Sequence, residues 1–285
     1  MDMIKEIKLE DIKCLFEKRK IDANKGDFGK VGILGGSVKY SGAVKLANMS
    51  LCTLRSGAGL VRLIVPKEIT ESISPYLLEQ TMYPYESLDD IKEAIKGLDV
   101  LAIGMGWDYD EKHLDILKMI LEDFKGTLVI DADGLNALVG HLDLLKSSTS
   151  NLVLTPHLKE FSRLTGLSID DIKKDKIFIA KKFAKDNHVI LVLKGDTTIV
   201  TDGEDVFLCR CGAPGMATSG SGDVLSGILA GMLAYQDCNL FVVSAGVLLN
   251  GLAGEIANDK NTDISMIASD TIHCIGDAIK KIRSE

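Results

Sequence analysis

Eleven residues, Ala213-Pro-Gly-Met-Ala-Thr-Ser-Gly-Ser-Gly-Asp223, gather small residues, hydroxyls and one carboxylate just before an apolar helical pattern that begins at Val224. Glycine permits backbone conformations that turn successive N–H groups toward one point. The helix that follows adds N–H groups without intrahelical acceptors and the positive end of its dipole, which together suit a phosphate. Gly220, Ser221 and Gly222 are therefore candidates for cradling a nucleotide phosphate. Asp223 is different, because a carboxylate beside an anion site repels its ligand unless it holds a metal or accepts a proton. One reading makes it a general base that activates a hydroxyl for attack on a phosphoryl group. The plainer reading makes it the N-cap of the helix. Gly227 and Gly231, farther along, suit close helix packing better than ligand contact.

Other residues of chemical interest follow short apolar runs. Lys194-Gly195-Asp196-Thr197-Thr198 offers a cation and hydroxyls to nucleotide phosphates, or is a solvated turn. His157, after Thr155-Pro156, is a substrate contact or only the start of a helix. Asp131 and Asp133 flank an alanine, so on an extended chain they point the same way, toward a metal or a ligand hydroxyl; Asp133 could equally cap the next helix. His113, His141, His188 and His273 sit in polar contexts that suggest no role. Two familiar nucleotide motifs fail on spacing. Between Gly36 and Gly42 lie five residues, with Ala43 where a P-loop needs lysine. Gly104-Met-Gly106 lacks the third glycine of a dinucleotide fingerprint, Tyr109 standing there.

These residues need elements to hold them. Near-continuous apolar runs at 31–34, 60–65, 100–103, 128–130, 152–154 and 189–193 predict strands buried on both faces. Helical patterns lie between them at 42–56, 88–95, 111–124, 134–138 and 172–185. Such alternation predicts an α/β protein with a mostly parallel central sheet covered on both sides. A hairpin follows, 197–201 with 206–209 through Asp202-Gly203, then helices at 223–235, 240–258 and 268–282. Ligands of parallel sheets bind beyond the carboxyl ends of the strands. Five predicted strands end there in Gly35-Gly36-Ser37, Gly104-Met105-Gly106, Asp131-Ala132-Asp133, Thr155-Pro156-His157 and Lys194-Gly195, which would line one crevice.

Composition sets the outer limits. With 33 Lys and Arg against 41 Asp and Glu, the 285-residue chain carries a formal charge of −8, which argues against nucleic acid as a partner but not against small anions in a local field. Of 27 glycines, 17 fall in the segments 26–59 and 212–254, so they are placed for local backbone shape. The N-terminus lacks the apolar run of a signal peptide. The most membrane-like stretch, 240–257, is interrupted by Ser244, Asn250 and Glu255 and reads as a buried core helix rather than a span. Six scattered cysteines, with only Cys209 and Cys211 close together, fit a reducing cytoplasm and give no zinc pattern. No linker or repeat divides residues 1–285, which are expected to form one domain.

In sequence order, the chain resembles the ADP/ATP-dependent NAD(P)H-hydrate dehydratases. The resemblance is carried by Lys25-Gly-Asp-Phe-Gly-Lys-Val-Gly-Ile-Leu-Gly-Gly-Ser37, Tyr40-Ser-Gly-Ala43, Asp131-Ala-Asp-Gly-Leu-Asn136, Thr155-Pro-His157 with Glu160-Phe161, Lys194-Gly195 with Thr198, and Pro214-Gly-Met-Ala-Thr with Gly220-Ser-Gly-Asp223. It implies a three-layer α/β/α ribokinase-like fold and the repair of hydrated NADH and NADPH. In that family an adenine nucleotide phosphorylates the hydrate's hydroxyl, and phosphate is then eliminated. Ala43, Gly106, His157 and Asp223 would meet the hydrated dinucleotide. Lys194, Gly195, Asp196, Thr197, Thr198 and Gly222 would hold ADP or ATP, with Mg2+ on the phosphates and unassigned metal ligands. Two loops differ from the family pattern: Gly104-Met-Gly-Trp-Asp108 replaces Gly-Pro-Gly-x-Gly, and Leu158-Lys159 follows Pro-His. The resemblance also implies a homo-oligomer, a tetramer by preference, and a separate epimerase, since there is no room before Asn24 for a fused one. A ribokinase-like kinase of a small alcohol, such as a thiazole or pyrimidine alcohol, and a non-catalytic nucleotide-binding regulator are the alternatives.

Overall fold

The computed structural model describes residues 3–39, 42–108 and 110–285, and for 42–48 the backbone alone. Ten strands form one sheet: β1 Ile4–Glu6, β2 Lys30–Leu34, β3 Leu60–Pro66, β4 Thr81–Tyr85, β5 Val100–Ile103, β6 Thr127–Ile130, β7 Asn151–Leu154, β8 Ile190–Leu193, β9 Thr198–Thr201 and β10 Val206–Cys209. Their order is β1-β10-β9-β8-β7-β6-β5-β2-β3-β4. Pairing is parallel from β8 through β4. The hairpin expected after residue 193 adds β9 and β10 antiparallel at one side, with Gly203 at φ +96° in its turn. β1 then pairs parallel to β10.

Successive strand side chains point to opposite faces, so the sheet has two cores. Val31, Ile33, Val61, Val100, Ala102, Val129 and Val153 join the helices Gly42–Arg55, Ser221–Leu233, Leu240–Lys260 and Ala268–Ser284 on one face. Leu34, Leu101, Ile103, Leu128, Ile130 and Leu154 join the helices Leu88–Ile95, Glu111–Asp123, Leu158–Thr165 and Lys176–Asn187 on the other. The result is the expected three-layer α/β/α architecture. The chain moves outward one way through β2, β3 and β4, then returns beside β2 and moves the other way from β5. Parallel sheets leave a crevice at such a switch, here between β2 and β5, beyond the carboxyl ends of the strands.

Three readings need correction. The helix predicted at 172–185 is two, Ile169–Lys174 and Lys176–Asn187, because Asp175 leaves helical geometry and its carboxylate accepts the Phe178 N–H at 3.4 Å as an N-cap. The helix predicted to start at 223 starts at Ser221. Strands β1 and β4 went unpredicted: three exposed residues, and an edge sequence holding Pro84 with none of its side chains buried, lack the apolar run of a buried strand.

Candidate active site

The centre of the site is the end of β6. After Ile130 the backbone reverses at Ala132, which holds φ +51° and ψ −120°, a region L-residues rarely adopt. The two aspartates therefore diverge, against the extended-chain expectation. Asp133 begins the helix Asp133–Ala137; its carboxylate accepts the Asp108 N–H and the Asn136 amide, both at 2.9 Å, and so ties down the loop 104–108. Asp131 turns inward and is 2% exposed. Its Oδ1 accepts from Lys194 Nζ at 2.9 Å and its Oδ2 from Ser226 Oγ at 2.7 Å.

Lys194 follows β8, and its N–H donates to Pro156 O at 2.9 Å, prolonging the β7–β8 pairing to His157. Burial pushes both charged partners toward neutrality. For Asp131, the Lys194 ammonium and the Ser226 hydroxyl outweigh burial and hold the carboxyl below its ordinary range. For Lys194, Asp131, Glu160 and Asp223 together outweigh burial and hold the ammonium above its ordinary value. Both groups stay charged.

The glycine-rich segment closes over this pair. Gly220, at φ +93°, is the N-cap of the helix Ser221–Leu233, and among the described residues no side chain caps that end. Asp223 is the third residue of the helix and half-buried, so the N-cap reading of it is excluded. A Cβ on Gly222 would stand 3.5 Å from Lys194 Nζ and 3.7 Å from Asp131 Oδ2, so the lysine lies beneath the helix's first turn. Ser221 Oγ is buried without a hydrogen-bond partner, a hydroxyl left for a ligand or water.

A cavity of about 650 Å³ gathers Lys194, Gly195, Asp196, Thr197, Thr198, Ser221 and Gly222. Seven of the eight expected nucleotide residues thus meet, and Gly220 lies outside this lining as the cap behind it. The cavity also reveals a wall that motif reading missed: Met216, Leu225, Val247 and Asn250, the last 8% exposed with an unpartnered Oδ1. An apolar slot beside a phosphate cradle accepts a flat base. Its signal was present only as apolar helix positions, which also describe a core.

Ala43, Gly106 and His157, the residues expected to meet a dinucleotide, follow the carboxyl ends of β2, β5 and β7. Gly106 (φ +68°) and Gly104 (φ +106°) shape the β5 loop; a Cβ on Gly104 would overlap Asp131 O at 2.2 Å. Gly36 N–H donates to Met105 O at 2.9 Å, joining the β2 and β5 loops. Trp107 from the same loop is buried, stacks on His113 at 4.8 Å, and leaves its Nε1 unpartnered. Ala43 lies in the first turn of the helix Gly42–Arg55, but its side chain, like Tyr40 and Ser41, lies outside the described residues. His157 caps the helix Leu158–Thr165: its Nδ1 accepts the N–H groups of Lys159 and Glu160 at 3.1 and 3.2 Å, while Glu160 Oε2 accepts the His157 N–H at 2.7 Å. Burial, then Lys194 and Arg163, push the imidazole below its ordinary pKa, so it is neutral near pH 7. Its ring stays half-exposed, with Nε2 3.5 Å from Glu160 Oε1.

A larger cavity, about 930 Å³, lies at the far end of the strands beside Phe28 and Gly57 and holds none of these residues. Arg55 and Arg283 in its lining sit in the last turns of two helices, where cations offset the dipole.

Comparison with known proteins agrees with this geometry. Residues 31–276 match the family model described as NAD(P)H-hydrate dehydratase. The bifunctional NAD(P)H-hydrate repair enzyme Nnr of Moorella thermoacetica is 36% identical over 281 residues, which cover 94% of this chain and 52% of that protein. This chain thus spans about half the length of the bifunctional relatives it matches. The ADP-dependent (S)-NAD(P)H-hydrate dehydratase of Cenarchaeum symbiosum is 34% identical over 262 residues, covering 88% of this chain and 89% of its own. Among solved structures, the ADP/ATP-dependent NAD(P)H-hydrate dehydratase of Bacillus subtilis, co-crystallised with ATP and Mg2+, superimposes with a TM-score of 0.84 at 25% identity over 98% of each chain. Sequence, fold and crevice agree: the chain belongs to the NAD(P)H-hydrate dehydratase family.

Proposed function

We propose that this protein dehydrates the S-epimer of hydrated NADH or NADPH at the expense of ADP or ATP, restoring the dihydronicotinamide and releasing AMP or ADP with phosphate. The observation that carries this reading is the position of Asp223, one residue after Gly222 in the helix turn that covers Lys194. In the proposed reaction Lys194, the loop 195–198 and the N–H groups of Ser221 and Gly222 hold the nucleotide phosphates. The slot of Met216, Leu225, Val247 and Asn250 takes the base. The hydrate lies along the switch crevice against Ala43, Gly106 and His157. Asp223 takes the proton from the hydrate's hydroxyl as the terminal phosphoryl group moves to that oxygen. The C–O bond then breaks with its electron pair leaving on the phosphate, the adjacent carbon loses a proton to water, and the electrons of that C–H bond re-form the ring double bond.

Among the described residues, no group of three or more His, Cys, Asp or Glu side chains is arranged to hold a metal ion. We propose that Mg2+ arrives on the nucleotide phosphates. We further propose that residues 1–285 act as one dehydratase unit, served by a separate epimerase and located in the cytoplasm. The six free cysteines support a reducing compartment. The family resemblance supports a homotetramer.

Replacement of Asp223 by alanine tests the assignment. Turnover is expected to vanish while ADP affinity changes little. Full activity in the variant would refute Asp223 as the base.

A further inference from the structure

We propose that Asp131 is the positioning residue of the nucleotide site: one carboxylate aims Lys194 at the phosphate cradle and holds the helix Ser221–Leu233 in register with it. The inference rests on the reading that Lys194 meets nucleotide phosphates. Asp131 lies 63 residues from Lys194 and 95 from Ser226 along the chain, and its two oxygens are divided between them. Ser226 stands one turn after Gly222, on the same helix face. The carboxylate therefore sits directly under the first turn, with Oδ2 3.7 Å from where a Gly222 Cβ would be and Lys194 Nζ 3.5 Å from the same point.

This arrangement has two consequences. An ammonium carries three N–H groups; one is spent on Asp131, and the others remain for a ligand above. A free lysine would lose rotamer freedom on binding, whereas Lys194 is held in place beforehand. The charge is maintained as well. The groups facing Lys194 are Asp131 at the end of β6, Glu160 and His157 from the helix Leu158–Thr165, and Asp223 from the helix above. Of these, Asp131 is hydrogen-bonded to it at 2.9 Å. Asp131 contacts neither bound partner in this scheme; it acts through Lys194.

The test is ADP binding by calorimetry from neutral to alkaline pH, with steady-state kinetics, for Lys194→Met, Asp131→Asn, the double variant and Ser226→Ala. Asp131→Asn is expected to weaken ADP roughly tenfold, as loss of an aimed charge does, and to raise KM more than it lowers kcat. It should also move the alkaline loss of binding to lower pH, because burial then acts on Lys194 with less opposition. Added to Lys194→Met, the same substitution should change ADP affinity by less than about twofold, since coupled residues are non-additive. Ser226→Ala leaves both charges and should shift the alkaline limb the same way by less. Wild-type affinity and alkaline limb in Asp131→Asn, or effects that multiply in the double variant, would overturn the inference. Should Asp131→Asn fail to fold, an unshifted limb in Ser226→Ala overturns it instead. If Lys194→Met itself binds ADP normally, the nucleotide reading fails first, and this inference with it.

Discussion

Gly222 is the residue at which backbone freedom and chemistry meet. Its added Cβ would make only ordinary contacts, at 3.5 and 3.7 Å, and φ there is not positive, so alanine fits the unliganded fold. Stability of Gly222→Ala should be unchanged or rise by about 0.5 kcal/mol, because alanine loses less entropy in a helix. The methyl group would nonetheless stand in the cradle, and ADP affinity should fall roughly tenfold or more as a phosphate loses its close approach to the N–H groups. Thermal unfolding and calorimetry check the two halves; a variant that binds ADP normally would remove the cradle from the account. At this scale the sequence showed which residues could act on a phosphate, since glycines, Lys194 and Asp223 are legible by type and spacing. It did not show Asp131 bound to Lys194 and Ser226, because those pairings depend on three distant segments meeting. It left the role of His157 divided, and the structure adds a helix cap to its place at the crevice.

The helix Ser221–Leu233 must come close to the helix Gly42–Arg55 for the cradle to sit over Lys194, and glycine permits it. A Cβ on Gly231 would lie 2.4 Å from Thr53 O, and one on Gly227 2.9 Å from Met49 O. Both partners are backbone and cannot turn aside. Gly231→Val should therefore cost about 1–3 kcal/mol or more by overpacking, read as a fall in the denaturation midpoint, with nucleotide affinity reduced as the helix start is displaced. A variant as stable as wild type would show that the contact is loose. Central strands were legible at this scale because burial on both faces demands continuous apolar runs, as in Val100–Ile103 and Ile190–Leu193. Edge strands were not, since β1 is wholly exposed and β4 contains a proline. Helix ends slipped by one or two residues where caps decided them: Gly220 rather than Asp223, and Asp175 within the segment read as one helix.

Taken whole, the molecule is two cores on one sheet, with the buried Asp131 and Glu160 and the largely buried Lys194 gathered at the carboxyl ends of the strands. The helix Leu240–Lys260 is long and apolar enough to cross a membrane, yet 83% of its most apolar window is buried inside the protein, as expected of a core helix. Residues of the helices Ser221–Leu233 and Ala268–Ser284 are likewise buried in the same core. Glu160, 8% exposed, gives the whole fold a pH signature. Burial raises its pKa above the ordinary value, against the pull of Lys194. The folded protein then holds this proton more tightly than the unfolded chain, so the contribution to stability is full below the unfolded pKa and is lost as pH rises through the folded one. Glu160→Gln should gain stability relative to wild type between pH 4 and pH 8 in chemical denaturation; parallel curves would contradict the burial argument. The proposed dehydration draws on the whole molecule. Purified protein given the S-epimer of hydrated NADH with ADP or ATP should restore the near-ultraviolet absorbance of dihydronicotinamide and release phosphate in equal amount, and Asp223→Ala should do neither. A stable phosphorylated product without absorbance recovery, or no nucleotide-dependent change at all, would contradict it.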